Sequence, residues 1–118
     1  MSAAPPDAIH PTILAERAGA RRVELDLHLP QQLLFFRGHF ERYPVLPGIV
    51  QLHWAVHYAR RHFDLDGRFP ASFLVKFRDL IRPGEALTLS LDHIDPKIIF
   101  EYGKPGTPRS SGQVTFTE

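Results

Sequence analysis

Two histidines stand fourteen positions apart in the stretch FFRGHFERYPVLPGIVQLHWAVHYARRHF, residues 35–63. His39 sits in a Gly-His-Phe turn, and His53 falls in the second turn of an expected helix. An imidazole has an ordinary pKa of about 6.5, so near neutral pH one ring can be neutral while another is charged. Two such rings close together titrate as a coupled pair and supply one base and one acid. The same residue type also ligates metals, or simply fills a hydrogen-bonding position. His53 and His57 form H-x-x-x-H, which puts two imidazoles on one helix face, a spacing that occurs in zinc sites. The glutamate of H-E-x-x-H is missing, because Trp54 follows His53, and His39 is the one third ligand with any argument behind it. A metal is therefore the weakest of the three readings.

The composition narrows the classes. A chain of 118 residues has the size of one domain and can bury one core of limited depth. Apolar residues make up 43%, with nine Phe, so the chain is expected to fold. A formal charge of +1 is no polyanion signal, and no nucleic-acid partner is expected. Seven His would make the charge clearly more positive near pH 6. With no Cys, disulfides, thiol chemistry and Cys-based zinc sites are excluded. The segment MSAAPPDAIHPTI lacks a basic stretch followed by an apolar core, so no signal peptide is visible. No apolar run approaches the roughly 20 residues of a membrane span. A soluble, cytoplasmic protein without membrane contact is the expectation.

The elements that must carry the histidines follow from periodicity. Residues 1–7, small and Pro-rich, are expected to be a flexible N-terminus, and residues 8–118 one domain. HPTILAERAG and RRVELDLHLP read as extended; in the second, Val23, Leu25, Leu27 and Leu29 alternate with Arg22, Glu24, Asp26 and His28, a strand with one wet face. QQLLFFRGHFERYPVLPG is too broken by Gly and Pro for a regular element and reads as an ordered functional loop, with Phe35, Phe36 and Phe40 arguing against disorder. Pro47 suits a first helical turn, and Ile49, Leu52, Val56, Ala59 and Phe63 form an apolar stripe, so a helix is predicted over 47–63. Val50, Trp54 and Tyr58 lie off that stripe, which marks an enclosed helix. ASFLVKFRDLI, EALTLSLDHI, KIIFEYGK and SSGQVTFTE read as four more strands, punctuated by RPGE and IDPK. Six strands and one helix are most economically arranged as a curved antiparallel sheet wrapped around the helix, an α+β fold.

The segment GHFERYPVLPGIVQLHW resembles the active-site segment of the hot-dog-fold 3-hydroxyacyl-carrier-protein dehydratases, whose pattern is G-H-F-P-x-x-P, then Val or Ile, Met or Leu, then P-G. Gly38, His39, Phe40, Pro44, Val45, Leu46, Pro47 and Gly48 match position by position, and Glu41 replaces a proline. VKFRDLIRPGEALTL and SSGQVTF resemble later segments of the family, so the resemblance covers about residues 20–117 and leans toward the short dehydratases of aryl-polyene pathways. It implies a hot-dog fold and no metal or organic cofactor. It also implies a dimer, either a homodimer or a hot-dog heterodimer, whose interfacial sites take residues from both subunits. The substrate would hang on the 4'-phosphopantetheine arm of an acyl carrier protein. Carried over, His39 is the catalytic histidine, while the family's carboxylate position holds His53, the one serious departure.

Dehydration of a 3-hydroxyacyl thioester to the trans-2-enoyl thioester needs a base at the α-carbon, an acid at the β-hydroxyl and donors at the thioester oxygen. His39 is the expected base, His53 the expected acid as an imidazolium, and the Gly48 amide, at the helix start, the expected oxyanion donor. Phe40, Val45, Leu46, Pro47, Gln51 and Trp54 are expected to border the substrate. A second source of the carboxyl group missing at position 53 is Glu41, from the loop. Each has a plainer reading: Gly48 as a glycine needed for close packing, Trp54 as core, Glu41 as a solvated loop residue, His57 as a packing residue. Arg60, Arg61, Arg68, Lys76, Arg78 and Arg82 read equally as a rim that steers an acidic carrier protein or as an ordinary solvated face. Two other functions stay open: a non-catalytic acyl- or carrier-protein-binding subunit, and an acyl thioesterase.

Overall fold

The computed structural model describes residues 9–31 and 45–118. The expected flexible N-terminus and most of the expected ordered loop, including Gly38, His39, Phe40, Glu41 and Pro44, lie outside the described residues. The elements run β1 (Thr12–Ala18), β2 (Arg22–His28), α1 (Gly48–His62), β3 (Phe69–Phe77), β4 (Ala86–Ile94), β5 (Lys97–Lys104) and β6 (Thr107–Thr117). The six strands form one antiparallel sheet in the order β1-β2-β4-β5-β6-β3, with β1 and β3 at its edges.

The period-two pattern explains the sheet. Val23, Leu25 and Leu27 of β2 pair with Leu91, Leu89 and Leu87 of β4, and all six are buried on one face. Ile98, Phe100 and Tyr102 extend that face through β5, and Val114 and Phe116 through β6. Fully burying one such side chain stabilises by about 1.5–3 kcal/mol, so this face dominates the energetics. The other face is polar. Arg17 donates to both carboxylate oxygens of Asp26 at 2.8 Å, Thr88 donates to Asp26 at 2.9 Å, and Arg22 donates to Asp92 at 2.6 Å. Exposed pairs of this kind contribute about 0–1 kcal/mol each.

The helix packs on the apolar face of the sheet, capped by Pro47 in an extended conformation and ended at Phe63, with Arg60, Arg61 and His62 complementing the dipole in its last turn. The expected stripe is buried at Leu52, Ala59 and Phe63 and partly at Val56, and the helix is enclosed as expected; the departure is at Ile49. Val50, Gln51, Leu52, Trp54, Ala55, Tyr58 and Ala59 are buried, whereas Ile49 is 69% exposed. The helix is apolar around most of its circumference, so periodicity could not choose the inner face. The large rings of Trp54 and Tyr58 remove the most area from water and turn inward. Strand β3 begins two residues earlier than the predicted segment and ends at Phe77, and β6 begins at Thr107, immediately after Gly106 with φ 84°.

Candidate active site

The start of α1 is built from the segment that precedes it. Leu46 donates its N–H to the Ile81 carbonyl at 2.7 Å, and the Leu46 carbonyl accepts from Gln51 Nε2 at 3.2 Å. Gln51 is buried, and its Oε1 accepts from Ser110 Oγ at 2.6 Å. The Tyr102 hydroxyl, also buried, donates to the Gln51 carbonyl at 2.6 Å, and burial pushes its pKa well above the ordinary tyrosine value. The first turn of the helix is thus tied to β5 and β6 by a satisfied polar network inside an apolar core, where leaving any member unpaired would be expensive. Val45 and Leu46 are buried and Pro47 is half-buried.

Gly48 opens the helix, where N–H groups have no intrahelical acceptor and the macrodipole favours negative charge. A β-carbon built at Gly48 would run into the ring of Phe77, at the end of β3. One turn on, His53 is exposed and stands in a groove of about 280 Å³. Ile49, Leu52 and Val56 line it from the helix, and Pro70, Ala71, Phe73 and Val114 from the sheet. His53 is the only polar side chain among these lining residues. Gln51 and Trp54 are turned inward; Trp54 is fully buried, and its indole N–H donates to the Ile9 carbonyl at 2.9 Å.

His57 lies beside the N-terminal segment, its ring 4.7 Å from that of His10 and 4.9 Å from that of Tyr58. Partial burial first, then His10, Arg61 and His53, lower its pKa below the ordinary histidine value. Among the described residues no group of three or more His, Asp or Glu is placed to hold a metal ion. The basic stretch divides. Arg60 donates to the Arg68 carbonyl at 3.0 Å and lies over the Phe116 ring, and Arg68 pairs with Asp95 at 2.5 Å, so both serve the fold. Lys76, Arg78 and Arg82 are exposed on and after β3.

Two features of this site went unassigned in the sequence, one without any local mark and one with a signal. Ser110 and Tyr102 are unremarkable strand residues until β5 and β6 bring them to Gln51. The exposed apolar side chains of β3 (Phe69, Phe73, Leu74 and Phe77) did have a signal: FPASFLVKF is too apolar for a half-wet strand.

A curved six-stranded antiparallel sheet on one helix, with the candidate residues at the helix start, defines a hot-dog domain. The ApeI-like family, described as ApeI dehydratase, matches residues 15–113, and the chain belongs to this dehydratase family. Similar solved structures agree. A chain of the dehydratase heterocomplex ApeI:P from Xenorhabdus doucetiae is 28% identical with a TM-score of 0.85, covering 92% of this chain and 99% of that one. An uncharacterized protein from Erwinia carotovora subsp. atroseptica is 32% identical with a TM-score of 0.76, covering 92% and 96%. An R-hydratase from Pseudomonas aeruginosa, 9% identical with a TM-score of 0.58 over 85% and 80% of the two chains, shares the fold. Among curated proteins no sequence matches.

Proposed function

We propose that the protein is a (3R)-3-hydroxyacyl-carrier-protein dehydratase that forms the trans-2-enoyl thioester and releases water. The observation that carries this reading is the setting of His53: the one polar side chain among the described residues lining an apolar groove, fourteen residues after His39, in a chain of a dehydratase family. Neutral His39 removes the α-proton, and the electron pair moves toward the thioester oxygen, which the Gly48 amide holds. Collapse of that enolate forms the double bond and expels the β-hydroxyl, to which imidazolium His53 gives its proton. The cycle closes when a proton passes from His39 back to His53 through solvent. Phe40, Val45, Leu46 and Pro47 frame the substrate on this reading and Gln51 acts through the helix start, whereas Trp54, fully buried and turned inward, packs the core.

The site is shared between two hot-dog subunits. The exposed apolar edge strand β3 supports a paired assembly, as does the likeness to a chain of a heterocomplex. The partner is a second copy or a related subunit, the substrate arrives on an acyl carrier protein as its pantetheine thioester, and the reaction belongs to cytoplasmic fatty-acid- or polyene-type biosynthesis. It needs no metal or organic cofactor.

One observation favours a second reading, a non-catalytic acyl-binding subunit: among the described residues, no carboxylate lines the groove around His53. The same observation counts against an acyl thioesterase, which usually needs a carboxylate to activate or orient water. The deciding experiment assays 3-hydroxyacyl-carrier protein with wild type, His39→Ala, His53→Ala and His53→Asp. Loss of turnover in the first two variants is expected. An unchanged rate in His39→Ala would end the dehydratase reading, and an inert wild type beside an active His53→Asp would establish the binding subunit. A crystal structure of the assembly should bring His39 of one subunit within about 6–7 Å of His53 of the other, close enough to act through one water.

A further inference from the structure

We infer that Phe77 is a positioning residue of this site: its ring walls the Gly48 amide and is the reason position 48 holds glycine. The inference rests on the dehydratase reading for the role of that amide. The backbone at Gly48 does not require glycine, because its φ lies outside the left-handed region, unlike that of Gly84 or Gly106. What a side chain would meet there is the Phe77 ring, three of whose carbons lie within 3.0 Å of the ideal β-carbon position.

The register of the sheet puts this ring on the helix side. Phe77 pairs with Ser110, the residue whose hydroxyl holds Gln51, and Phe73 pairs with Val114, which lines the His53 groove. No bulge intervenes between Phe73 and Phe77, so the two rings project from one face of β3. One walls His53 and the other walls Gly48, the two ends of the helix segment that carries the proposed acid and oxyanion donor. Phe77 is 56% exposed, so it contributes little as a core residue. An aromatic wall keeps water from the amide, and a donor aimed at developing charge acts more strongly where water is excluded.

The test compares wild type, Gly48→Ala, Phe77→Ala, the double variant and Phe77→Tyr. The readouts are turnover of 3-hydroxybutyryl-pantetheine, the Kd of unreactive butyryl-pantetheine and thermal melting. Phe77→Ala should lower kcat about tenfold with KM changed less than about twofold, and Phe77→Tyr should stay near wild type. Gly48→Ala should lower kcat by about tenfold or more, and the double variant should be no worse than the poorer single one, because removing the ring makes room for the methyl group. Melting should change little across the set. A wild-type kcat in Phe77→Ala, or losses that simply multiply in the double variant, would overturn the inference while leaving the dehydratase reading standing. If wild type binds butyryl-pantetheine without turning over the hydroxyacyl thioester, the dehydratase reading fails and the same cycle in Kd decides for or against Phe77. If it does neither, both fall.

Discussion

At the scale of single residues, the buried polar network around Gln51 sets the position of the helix start. Tyr102→Phe removes the hydroxyl that bonds the Gln51 carbonyl and should destabilise by about 1–2 kcal/mol, read from urea melts. Gln51→Leu should be worse, by about 2–4 kcal/mol, because the Ser110 hydroxyl and the Leu46 carbonyl both lose their partner in the core. If Gln51→Leu melts like wild type, the network does not hold the junction. His57 belongs to this scale too. Its folded-state pKa is depressed, so the unfolded chain takes up the proton more readily. The stability this contributes is present above the unfolded pKa of about 6.5 and is lost as pH falls below it. His57→Gln should therefore flatten the decline of melting temperature between about pH 7 and pH 5.5.

At the scale of elements, β3 is held on one side only, by β6. Gly112 sits at the centre of that pairing, where an added β-carbon would collide with the Leu74 carbonyl and the Phe100 ring. Backbone cannot swing aside as a side chain can, so Gly112→Ala should destabilise by about 1–3 kcal/mol and raise hydrogen exchange along β3 first. On the polar face of the sheet, Arg17 and then Thr88 hold the Asp26 carboxyl down at a pKa of about 2. A depressed carboxyl stabilises the fold above its unfolded pKa, and that contribution is lost as pH falls from about 4 toward 2. The pair is solvent-exposed, so Asp26→Asn should change the acid limb of the stability profile only slightly, and less still in high salt.

At the scale of the whole molecule, Phe69, Phe73, Leu74, Phe77 and Leu80 are all more than half exposed, on or just beyond an edge strand. An open apolar edge is an assembly surface or an aggregation hazard. Sedimentation is expected to show a particle of two hot-dog chains, and the double substitution Phe69→Lys, Leu74→Lys should shift it to the mass of one chain. An unchanged mass would place the contact elsewhere.

Much of the fold was legible because its signals are local. Alternation in RRVELDLH and ALTLSLDHI, turn residues in RPGE and IDPK, and a 3.6-residue period after Pro47 each specify an element from neighbours in sequence. The spacing of His39 and His53 was legible for the same reason, although His39 itself lies outside the described residues. What only the tertiary structure decided depends on which strands lie side by side. Gln51 meets Ser110, 59 residues away, and Tyr102, 51 residues away, because β5 and β6 run under the helix. Phe77 covers Gly48 because β3 returns to pair beside β6 rather than beside β4, its successor in the chain. Periodicity says that a helix is apolar; only the packing of Trp54 and Tyr58 against the sheet decided which side faces in, and so left His53 facing out.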